Sequence, residues 1–236
     1  MLGNDVVDLL DSDAAPSERT PAFDARVFGP GELARIAASP DAVRERWLTW
    51  AAKEAAYKLA RKLAPGTVFV PRRFEVGAPV ASPRSGGGAH QRLAAPVRFP
   101  GFTCQCDWIS APDFVHALCR PAGSSLPDCL SVDRLVPGGD GFTGPDDPGG
   151  RVRRLARTEV ARILGVPEGE VGFGKCEGIP YLLLGDRPLA GDISFSHHGS
   201  FVAFACRVGA EEITGEDRTQ GPEATPCVAS AGGSLP

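Results

Sequence analysis

The chain has 236 residues, a formal net charge of −4 and 42% hydrophobic residues, a composition typical of globular proteins with one or two domains. The slightly acidic balance argues against broad nucleic-acid binding. No apolar run is long enough to cross a membrane, and the N-terminus lacks the basic and apolar regions of a signal peptide, so we expect a cytoplasmic protein.

The predicted elements of the N-terminal part begin with a strand over residues 4–9. A helix follows over 43–64, because apolar and charged residues recur there at helical spacing and no Gly or Pro occurs before Pro65. Further strands are predicted at 67–70, 102–110 and 114–120.

The C-terminal part is predicted to contain a helix over 151–164, which Gly165 and Pro167 end. Strands at 181–184, 192–197 and 201–207 follow.

Segments rich in Gly and Pro divide the chain. We expect a loop at 83–90, and domain boundaries that give four parts. These parts are a first half at 1–120, a linker at 121–150, a second half at 151–208 and a disordered tail at 209–236.

Two similar segments end the two halves: residues 114–120 read FVHALCR and residues 201–207 read FVAFACR. This weak repeat predicts an α+β fold in which two similar halves, each a helix on an antiparallel sheet, are related by pseudo-twofold symmetry. Chance matching of short apolar words is the alternative.

The seven cysteines are an odd number, and no C-x-x-C pairs occur among them. This pattern argues against both a disulfide framework and a zinc cage, so we expect reduced thiols.

Two acidic residues stand in unusual places. Glu54 lies on the stripe of the first helix that should be buried, with Lys58 one turn later and Lys53 adjacent. Asp5 interrupts an apolar strand. Each also has an ordinary interpretation, as a surface ion pair bordering the core or as a residue at a strand end.

A third polar feature, Ser196-His197-His198, lies at the end of a strand before a Gly-Ser turn. A hydroxyl and an imidazole there suit a phosphate oxygen, and a satisfied polar turn is the alternative. Two carboxylates, two lysines and a histidine cluster together are what a Mg²⁺-assisted phosphoryl transfer uses, with Asp5 and Glu54 sufficient for the metal.

The sequence resembles the 4′-phosphopantetheinyl transferase superfamily. Its hallmark G-x-D strand matches residues 3–5, and its W-x-x-K-E-A-x-x-K helix matches residues 50–58. Residues 23–32 resemble the segment between these motifs in small holo-acyl-carrier-protein synthases. Residues 178–181 and 193–199 resemble the end of the half that comes first in larger, surfactin-synthetase-type enzymes, so the chain reads as a circularly permuted member.

The resemblance implies transfer of 4′-phosphopantetheine from coenzyme A to a serine of an acyl, peptidyl or polyketide carrier protein, with release of adenosine 3′,5′-bisphosphate. It implies Mg²⁺ as cofactor and coenzyme A as co-substrate. The two fused halves suggest a site within one chain, hence a monomer that binds neither nucleic acid nor membrane.

By the same resemblance, Asp5 and Glu54 hold Mg²⁺, and Glu54 or a metal-bound water accepts the serine proton. Lys53 and Lys58 contact phosphates, and Lys58 assists the leaving group. The resemblance also implies that Ser196 and His197 bind the 3′-phosphate of the nucleotide. Further positive charge is supplied by one or more of Arg151, Arg153, Arg154 and Arg157, of which Arg157 is our candidate.

Two positions depart from the family pattern. Val7 stands where larger relatives often have a third carboxylate, and Ile179 stands where a phosphate-binding lysine is common. Two other functions remain open: a non-catalytic relative that binds carrier proteins or coenzyme A without transfer, and an unrelated α+β binding protein in which Asp5, Glu54 and His197 lie far apart.

Overall fold

The computed structural model describes residues 1–17, 20–82, 90–135 and 147–209. Among these residues, no helix has both the length and the apolar character that a membrane span requires. Most of the loop predicted at 83–90, the middle of the predicted linker and the predicted tail from residue 210 onward lie outside the described residues.

The first half contains a six-stranded antiparallel sheet in the order β1-β6-β5-β4-β2, with β3 also pairing with β4. β5 and β6 match the strands predicted at 102–110 and 114–120. The strands are β1 (Gly3–Asp8), β2 (Glu75–Val76), β3 (Val80–Ala81), β4 (Gln91–Phe99), β5 (Phe102–Ser110) and β6 (Phe114–Pro121).

Three helices accompany this sheet: α1 (Thr20–Val27), α2 (Pro30–Ala38) and α3 (Ala42–Leu63). The carboxylate of Asp41 caps α3 by accepting a hydrogen bond from the Arg44 amide. The buried alanines of α3 pack on the inner face of the sheet around Trp108. The helix predicted at 43–64 is confirmed, whereas α1 and α2 were not predicted.

The second half packs one helix, α4 (Pro148–Leu164), against β11 and β12. The Asp147 carboxylate caps α4 by accepting from the amides of Gly149 and Gly150. Its strands form two three-stranded antiparallel sheets, in the orders β10-β9-β8 and β11-β12-β7. They are β7 (Cys129–Arg134), β8 (Val171–Cys176), β9 (Ile179–Leu184), β10 (Arg187–Pro188), β11 (Gly191–His198) and β12 (Phe201–Val208).

The two halves meet along β1, which pairs with β6 through its backbone on one edge. On the other edge, alternate amides of β1 donate to alternate side chains of β11 instead of to its backbone. The four donor–acceptor pairs are Leu2–Asp192, Asn4–Ser194, Val6–Ser196 and Asp8–His198. Side chains of the second half therefore accept the hydrogen bonds of the backbone amides on this edge of β1.

The structure confirms a mixed fold of helices and antiparallel sheets and corrects two of the predicted elements. Residues 67–70 are not a strand: no strand pairs with them, and Pro71 begins a 3₁₀ turn (Pro71–Arg73). Within the predicted linker 121–150, β7 pairs with β12 and α4 begins at Pro148, so parts of that range belong to the second half.

Five cysteines are free thiols: Cys104, Cys106, Cys119, Cys129 and Cys206. Cys176 is disulfide-bonded, which corrects the expectation that every cysteine is reduced. An odd cysteine count excludes complete pairing but leaves room for one bond.

Candidate functional site

A cleft of about 410 Å³ lies between the two halves, with α3 on one side and the start of α4, the β8–β9 hairpin and β11 on the other. Its charged residues are mostly cations, and three aromatic rings accompany them. These residues are Glu54, Tyr57, Lys58, Arg61, Lys62, Arg153, Phe173, Lys175, Phe195 and His197.

Helix α3 presents one charged face to the cleft. Glu54, Lys58, Arg61 and Lys62 follow one another at intervals of four, three and one residues. That spacing places them on one stripe of a helix with 3.6 residues per turn. The stripe runs along the cleft from an acidic end to a basic one.

A glycine lets the first strand approach this helix. A Cβ atom at Gly3 would lie 2.1 Å from the carbonyl oxygen of Ala55 and 2.7 Å from the amide nitrogen of Leu59. Only a residue without a side chain fits there. The close approach brings Asp5 to Lys58, whose Nζ lies 2.9 Å from Asp5 Oδ1 and 2.9 Å from the Asn4 carbonyl oxygen.

Glu54 is the unusual carboxylate of the cleft. Burial, and then the negative charge of Asp5, raise the pKa of Glu54 to about 7, while Lys58 acts in the opposite direction. Among the described residues, Glu54 has no hydrogen-bonding or ion-pair partner. Glu54 therefore lines a cleft rich in cations, and the carboxylate of Asp5 is close enough to raise its pKa.

This donor set fits a divalent cation of the Mg²⁺ type. The described residues hold no cluster of three or more Asp, Glu, His and Cys side chains that could form an all-protein metal cage. Mg²⁺ does not need one, since it binds through one or two carboxylates and completes its octahedron with waters and phosphates. The electrostatic strain between Glu54 and Asp5 is what such an ion would relieve.

The Ser-His pair of β11 is split between two faces. His197 is exposed and lines the cleft. Ser196 is 5% exposed and points the other way, toward β1, as adjacent strand residues do. The structure thus brings Asp5, Glu54, Lys58 and His197 to one region.

Lys53 does not reach the cleft, which corrects its predicted contact with phosphates. Its side chain is 0% exposed in the core of the first half, and its Nζ lies 2.8 Å from Glu32 Oε2. The ammonium also donates to the carbonyl oxygens of Pro71 and Phe74. Burial lowers the pKa of Lys53, and the Glu32 carboxylate raises it in part. Lys53 is a structural cation.

Arg157 is likewise not the arginine of the cleft. Its Nε donates to the carbonyl oxygen of Val171 at 3.0 Å, which ties α4 to β8. Arg153, one helical turn earlier, lines the cleft, and its guanidinium lies 5.9 Å from the centre of the Phe195 ring.

Sequence reasoning missed three further cations of the cleft: Arg61, Lys62 and Lys175. Lys62 connects the two halves, since its Nζ lies 2.8 Å from the Leu2 carbonyl oxygen and 2.7 Å from Asp192 Oδ1. The available signal was helical spacing, because Lys62 follows Lys58 by four residues. Lys175 lies on β8, and no spacing from the motifs predicts its place.

A search of curated proteins finds no match to this chain. A family model does match, over residues 1–95, and the matched range contains β1, α3 and the carboxylates Asp5 and Glu54. The matching model is that of the 4′-phosphopantetheinyl transferase superfamily, to which residues 1–95 are therefore similar.

Proposed function

We propose that this protein is a 4′-phosphopantetheinyl transferase that moves 4′-phosphopantetheine from coenzyme A to a serine of an acyl, peptidyl or polyketide carrier protein and releases adenosine 3′,5′-bisphosphate. The observation that carries the proposal is Glu54, a cleft carboxylate beside Asp5 and Lys58 whose pKa is raised to about 7. The family of residues 1–95 supports phosphopantetheinyl transfer in general.

The cleft has the size and charge for a nucleotide-containing donor. Its volume of about 410 Å³ falls in the range of ordinary cofactor pockets. Cations from both halves face it, and phosphate groups are the anions that such a constellation binds. Coenzyme A offers a diphosphate and a 3′-phosphate to these cations.

Asp5 and Glu54 are the residues that would hold a magnesium ion. Asp5 Oδ1 accepts from Lys58 and Ser196, and among the described residues no donor bonds to Oδ2. When bound, such an ion neutralises charge on the diphosphate and orients it.

The chain's own groups fit the proton and charge transfers of the reaction. The carrier serine oxygen forms a bond to the phosphorus next to the pantetheine, and the bond from that phosphorus to the oxygen of adenosine 3′,5′-bisphosphate breaks. Glu54 lines the cleft and takes the serine proton as general base. Lys58 faces the same cleft and stabilises the charge of the leaving phosphate.

The nucleotide end is proposed to lie against the second half. His197, Arg153 and Lys175 all line that side, and all three are exposed and able to donate to phosphate oxygens. Ile179 also lines the cleft and donates nothing from its side chain. We therefore assign the phosphate contacts of this wall to those three residues.

The architecture proposed for the active molecule is a monomer with the site between its halves. Each half has a helix on antiparallel strands, as a pseudo-twofold arrangement requires. The half with the metal-binding carboxylates precedes the half with the Ser-His motif, which supports a circular permutation of the surfactin-synthetase-type order.

The experiment incubates the full chain with fluorescent coenzyme A, Mg²⁺ and a panel of apo-carrier proteins, and resolves the products by electrophoresis. We expect at least one carrier to be labelled, and the same carrier with its acceptor serine replaced by alanine to remain unlabelled. Glu54→Gln should reduce labelling by at least two orders of magnitude, while the matched variant Glu168→Gln, at an exposed position, retains it. Binding of coenzyme A without labelling of any carrier would contradict transfer and identify a non-catalytic relative.

A further inference from the structure

We propose that Ser196 is a positioning residue that orients the Asp5 carboxylate, and that it does not bind a phosphate of the nucleotide. This inference deepens the proposed function and rests on its assignment of Asp5 to the metal.

The hydrogen bonds of Ser196 are the first argument. Its Oγ accepts from the Val6 amide at 2.8 Å and donates to Asp5 Oδ1 at 3.1 Å. A serine hydroxyl has a single proton to donate. A phosphate oxygen accepts hydrogen bonds, so Ser196 would have to abandon Asp5 in order to bind one.

The position of Ser196 is the second argument. Its side chain is 5% exposed in the seam between β11 and β1, and it is absent from the described residues that line the cleft. His197, the next residue, does line it. The alternation of side chains along a strand therefore divides the Ser-His pair into one residue for Asp5 and one for the ligand.

The two groups that hold the Asp5 carboxylate differ in rigidity. Oδ1 has two donors, Lys58 Nζ at 2.9 Å and Ser196 Oγ at 3.1 Å. The lysine reaches it on a long flexible chain with 29% of its side chain exposed, whereas the serine is short, buried and fixed to β1. Ser196 is therefore the rigid partner, and it directs Oδ2 away from both donors.

Ser194 offers a matched control. It lies on the same face of β11, is buried, and its Oγ accepts from the Asn4 amide at 3.0 Å. Unlike Ser196 it also lines the cleft, but no carboxylate bonds to it, so it serves as a control for Mn²⁺ affinity. Ser194→Ala and Ser196→Ala each remove one buried seam hydrogen bond, and only the second removes a bond to Asp5.

The test measures Mn²⁺ affinity of the full chain without coenzyme A, by electron paramagnetic resonance titration, for the native protein, Ser196→Ala, Ser194→Ala and Ser196→Thr. Loss of a partner that orients a metal ligand typically weakens metal binding by about 10- to 100-fold. We expect a weakening of about tenfold for Ser196→Ala, less than twofold for Ser194→Ala, and retained affinity for Ser196→Thr, which keeps a hydroxyl. Thermal unfolding of each variant verifies that it is folded.

A second measurement separates positioning from phosphate binding. In the presence of Mg²⁺, Ser196→Ala should weaken binding of coenzyme A and of 3′-dephospho-coenzyme A by the same factor. A loss confined to coenzyme A, native Mn²⁺ affinity in Ser196→Ala, or no Mn²⁺ binding by the native protein would overturn the proposal. A protein that labels no carrier but shows the expected Mn²⁺ differences would refute the proposed function and leave the role of Ser196 intact.

Discussion

The two walls of the cleft are built differently. On the α3–β1 side, Asp5 and Lys58 are held by hydrogen bonds to each other and to neighbouring groups, and Glu54 is half-buried beside them. On the other wall, Arg153, Lys175 and His197 are exposed. The site thus combines acidic residues that are held in place with exposed cations whose side chains can adjust. Such a combination suits a reaction centre of fixed geometry and a ligand that must enter and leave.

The largest expected effects come from replacing each of two lysines on α3, one in the core and one in the cleft. Lys53→Met leaves the Glu32 carboxylate buried without its cation, so it should destabilise the fold by about 3–5 kcal/mol. Chemical denaturation measures this loss, and coenzyme A affinity of the folded fraction should stay native. Lys58→Met should change the free energy of unfolding little and lower the transfer rate by about 100-fold. A stable, transfer-deficient Lys53→Met protein would place Lys53 in the site after all.

The next effect concerns how close β1 lies to α3. Gly3→Ala forces a methyl group against the backbone of α3, so we expect a loss of about 2–3 kcal/mol in the free energy of unfolding, together with reduced transfer. Gly31→Ala is the matched control, because a Cβ there meets nothing within 4 Å and lies within helix α2. It should be neutral or slightly stabilising. Equal stabilities of the two variants would contradict the close approach.

A smaller effect distinguishes two arginines of α4. Arg153→Ala should weaken coenzyme A binding by about tenfold, since its guanidinium lines the exposed wall. Arg157→Ala should leave that affinity native, because its side chain bonds to the Val171 carbonyl oxygen. Fluorescence titration compares both with the native protein, and the reverse order of affinities would restore Arg157 as the nucleotide ligand.

The smallest effect is a pH dependence of stability in metal-free protein. The folded state raises the pKa of Glu54 to about 7 from 4.5, so between these values the folded chain holds a proton that the unfolded chain has lost. Stability therefore falls as pH rises through this window. Relative to Glu54→Gln, the native protein should lose about 1 kcal/mol between pH 5 and pH 8, after allowance for solvent screening. Urea unfolding in the presence of a chelator measures it, and parallel pH profiles would show an unperturbed carboxylate.

Sequence periodicity was sufficient for the central helix and for six of the twelve strands of the described residues; it missed β2, β3, β4, β7, β8 and β10. The prediction of 43–64 differs from α3 by one residue at each end, because capping and helix-breaking residues lie at both ends of the pattern. Periodicity failed at residues 67–70, whose β-branched and aromatic residues resemble a strand, because pairing depends on a neighbour that local sequence does not specify.

The site residues were predictable where one element carried them. Glu54 and Lys58 are four residues apart and share a helix face, but Lys53 and Lys58 are five apart, which separates them by about 140° around the helix. That angle was a readable sign that Lys53 belongs to the core. Lys175 and Arg153 could not be placed, because their approach to α3 depends on how the halves pack.

In the proposed function, Glu54 and Asp5 bind coenzyme A through a metal, while the opposite wall binds it directly. Isothermal titration of coenzyme A, with and without Mg²⁺, tests this claim on the native protein, Glu54→Gln and Arg153→Ala. We predict that Mg²⁺ strengthens binding at least tenfold in the native protein and in Arg153→Ala and less than twofold in Glu54→Gln. An equal gain from Mg²⁺ in all three proteins would contradict the account.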